Sequence, residues 1–176
     1  MSTTVALLSE PGSGSVTIEA IARRAKVGKQ TIYRWWPTKS ALLIEAFTGE
    51  ARNAVADIDS GSVRSDLEHF LARTLQAVQA PVVRGALRAL IAGALADEES
   101  ADILRGYAVE RREALAAILR RGVERSQVAA DADVGLAVEQ AFGYIWYHLI
   151  LADMTPPDST AEGLTSALLR QLGHVE

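Results

Sequence analysis

Residues 17 to 43 read TIEAIARRAKVGKQTIYRWWPTKSALL, and their reading decides the fold. Thr17 is a good N-cap for a helix running to about Ala25, with Ile18, Ile21, Ala22 and Ala25 on one face. Lys26-Val27-Gly28 makes a three-residue turn. A second short helix spans about Lys29 to Trp35, closed by Pro37, which disfavours helical geometry at Trp36. Thr38 then caps a longer helix with apolar positions at Leu42, Leu43, Ala46, Phe47, Ala54 and Ile58. Two short helices around a tight turn, the second one basic, make a helix-turn-helix whose second helix enters the major groove of DNA.

Charge supports that reading once its distribution is considered. The chain has 18 basic and 22 acidic residues, a net charge of -4, which by itself argues against a nucleic-acid partner. Yet Ala20 to Ile44 holds six basic residues (Arg23, Arg24, Lys26, Lys29, Arg34, Lys39) and no acid, leaving 12 basic residues against 22 acidic ones elsewhere. A local basic patch on an acidic body attracts phosphates while the remainder resists indiscriminate binding.

Each residue type has a physical task in this scheme. Ala22, Ala25, Val27 and Ile32 are small or apolar where the helices cross. Lys29, Gln30 and Thr31 open the recognition helix and reach base edges: lysine donates to guanine, glutamine reads adenine, and the threonine methyl touches thymine. Tyr33 and Arg34 have the reach for backbone phosphates. Lys39, in the first turn of the next helix, opposes the helix dipole and makes most sense facing an external phosphate. Trp35 and Trp36 are expected to wedge the recognition helix against the third helix.

The run IAxxAxV followed by TIYRWWPTKSALL resembles the DNA-binding domain of TetR-type transcriptional regulators. Thr17, Val27, Thr31, Tyr33, Pro37, Lys39 and Ala41-Leu42-Leu43 fall at that family's positions. The resemblance implies a three-helix head at 1–47, a connecting helix continuing over 48–58, and an effector-binding and dimerisation domain at 59–176. It also implies a homodimer formed through the last two helices, a palindromic double-stranded DNA operator and a small-molecule effector, most simply as a repressor released by that effector. The sequence departs from the family at three places. Lys26 takes a turn position usually held by glycine, at a cost of about 1 kcal/mol if it is left-handed. Gly28 stands where a serine or threonine usually caps the recognition helix. Met1 to Glu10 allows barely two turns of first helix, so the expectation is a start further upstream or a head bound less tightly to DNA.

The rest of the 176 residues reads as all-α, about nine helices in total. Ala 30 and Leu 20 bias the chain toward strong helix formers, and no Val/Ile/Thr alternation marks a strand. Ser2 to Glu10 is a short helix ended by Pro11 to Ser15. Asp59-Ser60-Gly61-Ser62 is the expected boundary, followed by a capping box at Ser65 and Glu68. Pro81 restarts the chain, and further helices are expected at about Ala101 to Glu124, from Asp131 or Asp133 to about Ala152, and after Ser159. The chain has no cysteine, which excludes disulfides, thiol nucleophiles and thiolate-bound zinc. The N-terminus lacks the pattern of a signal peptide, and the nearest approach to a membrane span, Ala141 to Ala152, is 12 residues long and contains His148, so a cytoplasmic protein is expected.

Phe142, Tyr144, Trp146, Tyr147 and His148 crowd one helix, with Tyr107 on the helix before it. They suit either a ligand cavity with apolar walls and a few orienting polar groups, or a packed core and dimer seam. Arg111, Arg112, Arg120 and Arg121 sit beside Glu110, Glu113 and Glu124 and read as exposed ion pairs. No catalytic triad, carboxylate pair or phosphate-cradling loop stands out, so no enzyme, cofactor or metal site is expected. The alternative to a regulator is a helical ligand-binding or scaffolding module with impaired DNA binding.

Overall fold

The computed structural model describes residues 17–39, 41–46, 58–151 and 160–174. Among them are eight helical stretches and no strand: α1 (Ile18–Ala25), α2 (Lys29–Trp35), α3 (residues 41–46), α4 (Val63–Gln79), α5 (Pro81–Ala94), α6 (Glu98–Glu124), α7 (Val134–Ile150) and α8 (Thr160–Gln171). The helix expected at Ser2 to Glu10 and the Ser159 cap lie outside the described residues. None of the described helices is long and apolar enough to cross a membrane.

The helix starts show where local chemistry was read correctly and where it was displaced. Asp133, not Asp131, caps α7, its carboxylate accepting from the Leu136 N–H at 2.9 Å. Pro81 occupies the first turn of α5, where its missing N–H costs nothing. Two starts come three residues early. Asp97 accepts from the Ser100 N–H at 2.8 Å, so α6 begins at Glu98 rather than Ala101. The Ser65/Glu68 box is bypassed because the Ser62 carbonyl already takes the Asp66 N–H at 2.9 Å, and α4 begins at Val63.

The chain divides into two compact units, one of Met1–Asn53 with Ala80–Tyr107, the other of Ala54–Gln79 with Ala108–Glu176. The first unit holds α1, α2, α3, α5 and the start of α6. The second unit is organised around α4 and α8, with Leu67, Leu71, Leu168, Leu169 and Leu172 nearly inaccessible to water. Gly122 of α6 lets that helix approach the start of α4. A Cβ there would stand 2.7 Å from Val63 Cγ2 and 3.0 Å from its Cβ.

Segment 58–63, which leads into α4, is bound by side chains from the end of α6 and the turn after it. Arg121 Nη2 donates to the Ile58 carbonyl at 2.8 Å, and Arg125 Nη2 to Asp59 Oδ1 at 2.6 Å. Gln127 donates to the Gly61 carbonyl at 2.8 Å and accepts from the Val63 N–H at 3.0 Å. The buried Asp66 carboxylate takes the Ser60 N–H at 2.9 Å and its hydroxyl at 2.6 Å. These bonds satisfy backbone groups that a non-helical segment would otherwise leave to water. Arg121 is therefore a brace on segment 58–63.

Arg111 corrects the expectation of an exposed ion pair more sharply. It is only 7% exposed, its guanidinium lies 4.7 Å from the Phe70 ring centroid, and Nη2 donates to Thr74 Oγ1 at 2.7 Å. The Thr74 hydroxyl in turn donates to the Phe70 carbonyl at 2.8 Å. Arg112 and Arg120 do form exposed ion pairs, with Glu139 at 3.1 Å and Glu113 at 2.8 Å.

Candidate nucleic-acid interface

The Thr17–Trp36 segment builds a small core of its own. Ile18, Ile21 and Ala22 of α1 meet Ile32 of α2 and Leu42 of α3, and Trp36 packs against them. The Thr17 hydroxyl accepts the Ala20 N–H at 3.2 Å, which sets the start of α1. At its other end Lys26 is left-handed, φ 55 and ψ 40, and the Val27 and Lys26 amides bond back to the Ala22 and Arg23 carbonyls at 3.0 and 3.3 Å. This paired closure is a Schellman motif, normally served by glycine at the left-handed position. Lysine bears the steric cost there, as the sequence led one to expect. Val27, expected at the helix crossing, is exposed instead, because the turn carries it outward past the core.

Gly28 opens α2 with extended backbone, φ -73 and ψ 149, and supplies no side-chain cap. The helix stops after Trp35, and Trp36, preceding Pro37, is extended at φ -133 and ψ 99. Thr38 restarts the chain, its hydroxyl accepting the Ala41 N–H at 3.0 Å. Ile32 and Trp36, four residues apart, share the inward face. Gln30, Thr31, Arg34 and Trp35 consequently stand on the outward side, all exposed, with Tyr33 half-exposed and Lys39 in the open beyond Pro37.

Electrostatically the face is poised for an anion. Lys29 is hydrogen-bonded to Glu19 of α1, and that ammonium holds the Glu19 carboxyl below its ordinary value. Both side chains are more than half exposed, so exchanging Glu19 for another anion costs little. Among the described residues Arg23, Arg34 and Lys39 have no ion pair, and their charge is available to a partner.

The two tryptophans part company. Trp36 fills the expected wedge, and its indole Nε1 donates to Glu45 Oε2 of α3 at 2.5 Å. Trp35 does not wedge; it is 70% exposed on the outer face. The missed signal is its spacing: four residues after Thr31, it must share that residue's face, while Trp36 falls in line with Ile32.

The second cluster of candidates separates into faces of α7. Phe142 is buried, with its ring edge-on to Phe70 at 6.5 Å between centroids. Trp146, one turn on, is half-buried on the same side. Tyr144 and His148 are half-buried, their ring centroids 4.4 Å apart and their planes tilted by 47°. Tyr147 is 56% exposed and aligns with Leu136, Gly143 and Ile150 in an open stripe along the helix. Tyr107 belongs to the other compact unit. Among the described residues no cluster of carboxylates and histidines is arranged to hold a metal.

Comparison with known proteins agrees with this geometry. Residues 1–46 match the family described as bacterial regulatory proteins, tetR family, and residues 57–168 match the tetracyclin repressor-like C-terminal domain. The uncharacterized HTH-type transcriptional regulator YdeS of Bacillus subtilis is 30% identical over 162 residues, covering 90% of this chain and 80% of the relative. The crystal structure of the TetR family transcription regulator SCO0332 superposes with a TM-score of 0.78 at 32% identity, over 97% of this chain and 93% of that one. A transcriptional regulator FadR from Bacillus subtilis, crystallised with stearoyl-CoA, shares the fold at a TM-score of 0.55 and 16% identity, over 97% and 96% of the two chains.

Proposed function

The chain belongs to the TetR family of helix-turn-helix transcriptional regulators, and we propose that it acts as a homodimeric repressor which a small molecule releases from a palindromic operator. The observation that carries the DNA-binding part is the outward face of α2. It presents Gln30, Thr31 and Arg34 from a helix whose opposite face is anchored by Ile32 and Trp36. In this reading Gln30 and Thr31 touch base edges, with Lys29 joining them once it leaves Glu19. Tyr33, Arg34 and Lys39 hold phosphates, and Thr17 fixes the start of the supporting helix.

Dimerisation is supported by the stripe on α7. Leu136, Tyr147 and Ile150 expose apolar surface along one line, and Gly143 leaves room for a second helix to come close. A two-fold pair would then place its recognition helices about 34–36 Å apart, one turn of DNA. The effector reading is supported by the family, with Phe142 and Trp146 on one flank of α7 as candidate apolar walls and Tyr144 and His148 on its other flank as candidate polar groups; Tyr147 goes to the dimer seam. The fold neighbour that binds an acyl-CoA accords with a ligand-responsive regulator. An effector acts by favouring one helix-to-helix spacing over another, and so by coupled populations.

The test is fluorescence-anisotropy binding to a duplex from the region upstream of the protein's own reading frame, against a random duplex, at about 50 and 200 mM salt. Tight, selective and salt-sensitive binding is the expected result. Lys39→Ala should lower the salt slope by about one. Equal weak binding to both duplexes, and to a selected pool, would refute the reading.

A further inference from the structure

We infer that Trp35 is a specificity-determining residue of the DNA-reading face, its indole packing on a thymine 5-methyl group in the major groove. The inference rests on the DNA-binding reading above and adds a contact to it. An exposed indole is the most expensive apolar side chain to leave in water, and Trp35 leaves 70% of itself there while the neighbouring Trp36 is turned into the core. It stands one turn after Thr31 and beside Arg34, on the outer face of a segment that carries six cations and no acid between Ala20 and Ile44. Charge complementarity therefore names the occupant of this face as a duplex.

Within the groove the chemistry narrows further. Bases present donors, acceptors and one apolar group, the thymine methyl. The indole has two apolar faces and a single N–H donor, and no acceptor. It has nothing to offer a cytosine amino group and gives little to the acceptors of guanine that Lys29 does not give better. Thr31 presents a methyl on the same face, so the two side chains form a short apolar strip suited to thymine on neighbouring pairs.

The experiment is selection of duplexes from a randomised pool by the full-length chain, its Trp35→Ala variant and its Trp35→Phe variant. Anisotropy titrations follow on the enriched sequence with single thymines replaced by uracil. For the wild-type chain, uracil at one such position in a single half-site should weaken binding about fourfold, the transfer of one methyl group. Trp35→Ala should lose both the thymine preference and the sensitivity to uracil there, and Trp35→Phe should retain both. Since the side chain is largely exposed, the variants should match the wild type in thermal unfolding. Enrichment of the same thymines by Trp35→Ala overturns the proposal, as does weakening by Trp35→Ala that is uniform across all duplexes. A wild-type chain that enriches no sequence overturns the DNA-binding reading itself, and this contact with it.

Discussion

Gly28 sits at the N-cap of the recognition helix without a capping side chain, and replacing it tests how that helix is held. Its φ of -73 and ψ of 149 suit any L-residue, and an added Cβ would meet nothing nearer than Thr31 Oγ1 at 3.9 Å. Gly28→Ser is therefore free of strain. The Thr31 N–H already donates to the Gly28 carbonyl at 3.0 Å, so the new hydroxyl finds the Gln30 N–H, one of the unpaired donors of the first turn. Serine exceeds glycine at this position by a few tenths of a kcal/mol and exceeds alanine by about 1 kcal/mol. The expected stability order is Ser, Gly, Ala, spread over about fivefold in the local opening constant. Hydrogen exchange of the Thr31 amide, bonded to the residue 28 carbonyl, followed in all three proteins, reads that constant directly. Alanine protecting this amide as well as serine would refute the reasoning. It would show that restricting the unfolded chain, common to both substitutions, outweighs the cap.

Three other outcomes follow from the geometry. Gly122→Ala forces a methyl against Val63 of α4 and should cost about 1–3 kcal/mol in urea unfolding, whereas a neutral result would mean that α4 and α6 can part without penalty. Tyr147→Glu places a charge on the open stripe of α7 and should convert a dimer to a folded monomer in sedimentation; a dimer that persists would move the seam elsewhere. The Arg125 guanidinium holds the Asp59 carboxyl below its ordinary value. Its contribution is complete above the usual carboxylate range and is lost as the pH falls through the lowered folded value. The gap in urea midpoint between the wild type and Asp59→Asn should accordingly close on acidification, and a gap that widens would contradict the pairing.

Much of the reading head was legible because its signals are local. Thr17, Pro37 and Thr38 act on amides within four residues, and the spacing of Ile18, Ile21 and Ala22 is a property of one helix. The left-handed cost at Lys26 was readable for the same reason, since a turn of three residues leaves little choice of backbone. Trp35 and Trp36 were the exception. Both are tryptophan, both adjoin the same turn, and only their phase relative to Ile32 separates an anchor from an exposed ring.

The amino-acid sequence by itself determined an all-helical chain, a helix-turn-helix at residues 17–43, and a basic patch confined to it, because periodicity, caps and charge are carried by neighbours along the chain. Tertiary structure decided what depends on partners distant in sequence. Arg111 was indistinguishable from Arg112 until Phe70 and Thr74 closed over one of them. Arg121 became a brace only when the Ile58 carbonyl came within 2.8 Å. The aromatic run of α7 divided into buried and open faces only when Phe70 of α4 met Phe142 and left Tyr147 outside. Burial is a property of the assembled core, and no residue holds it before its partners arrive.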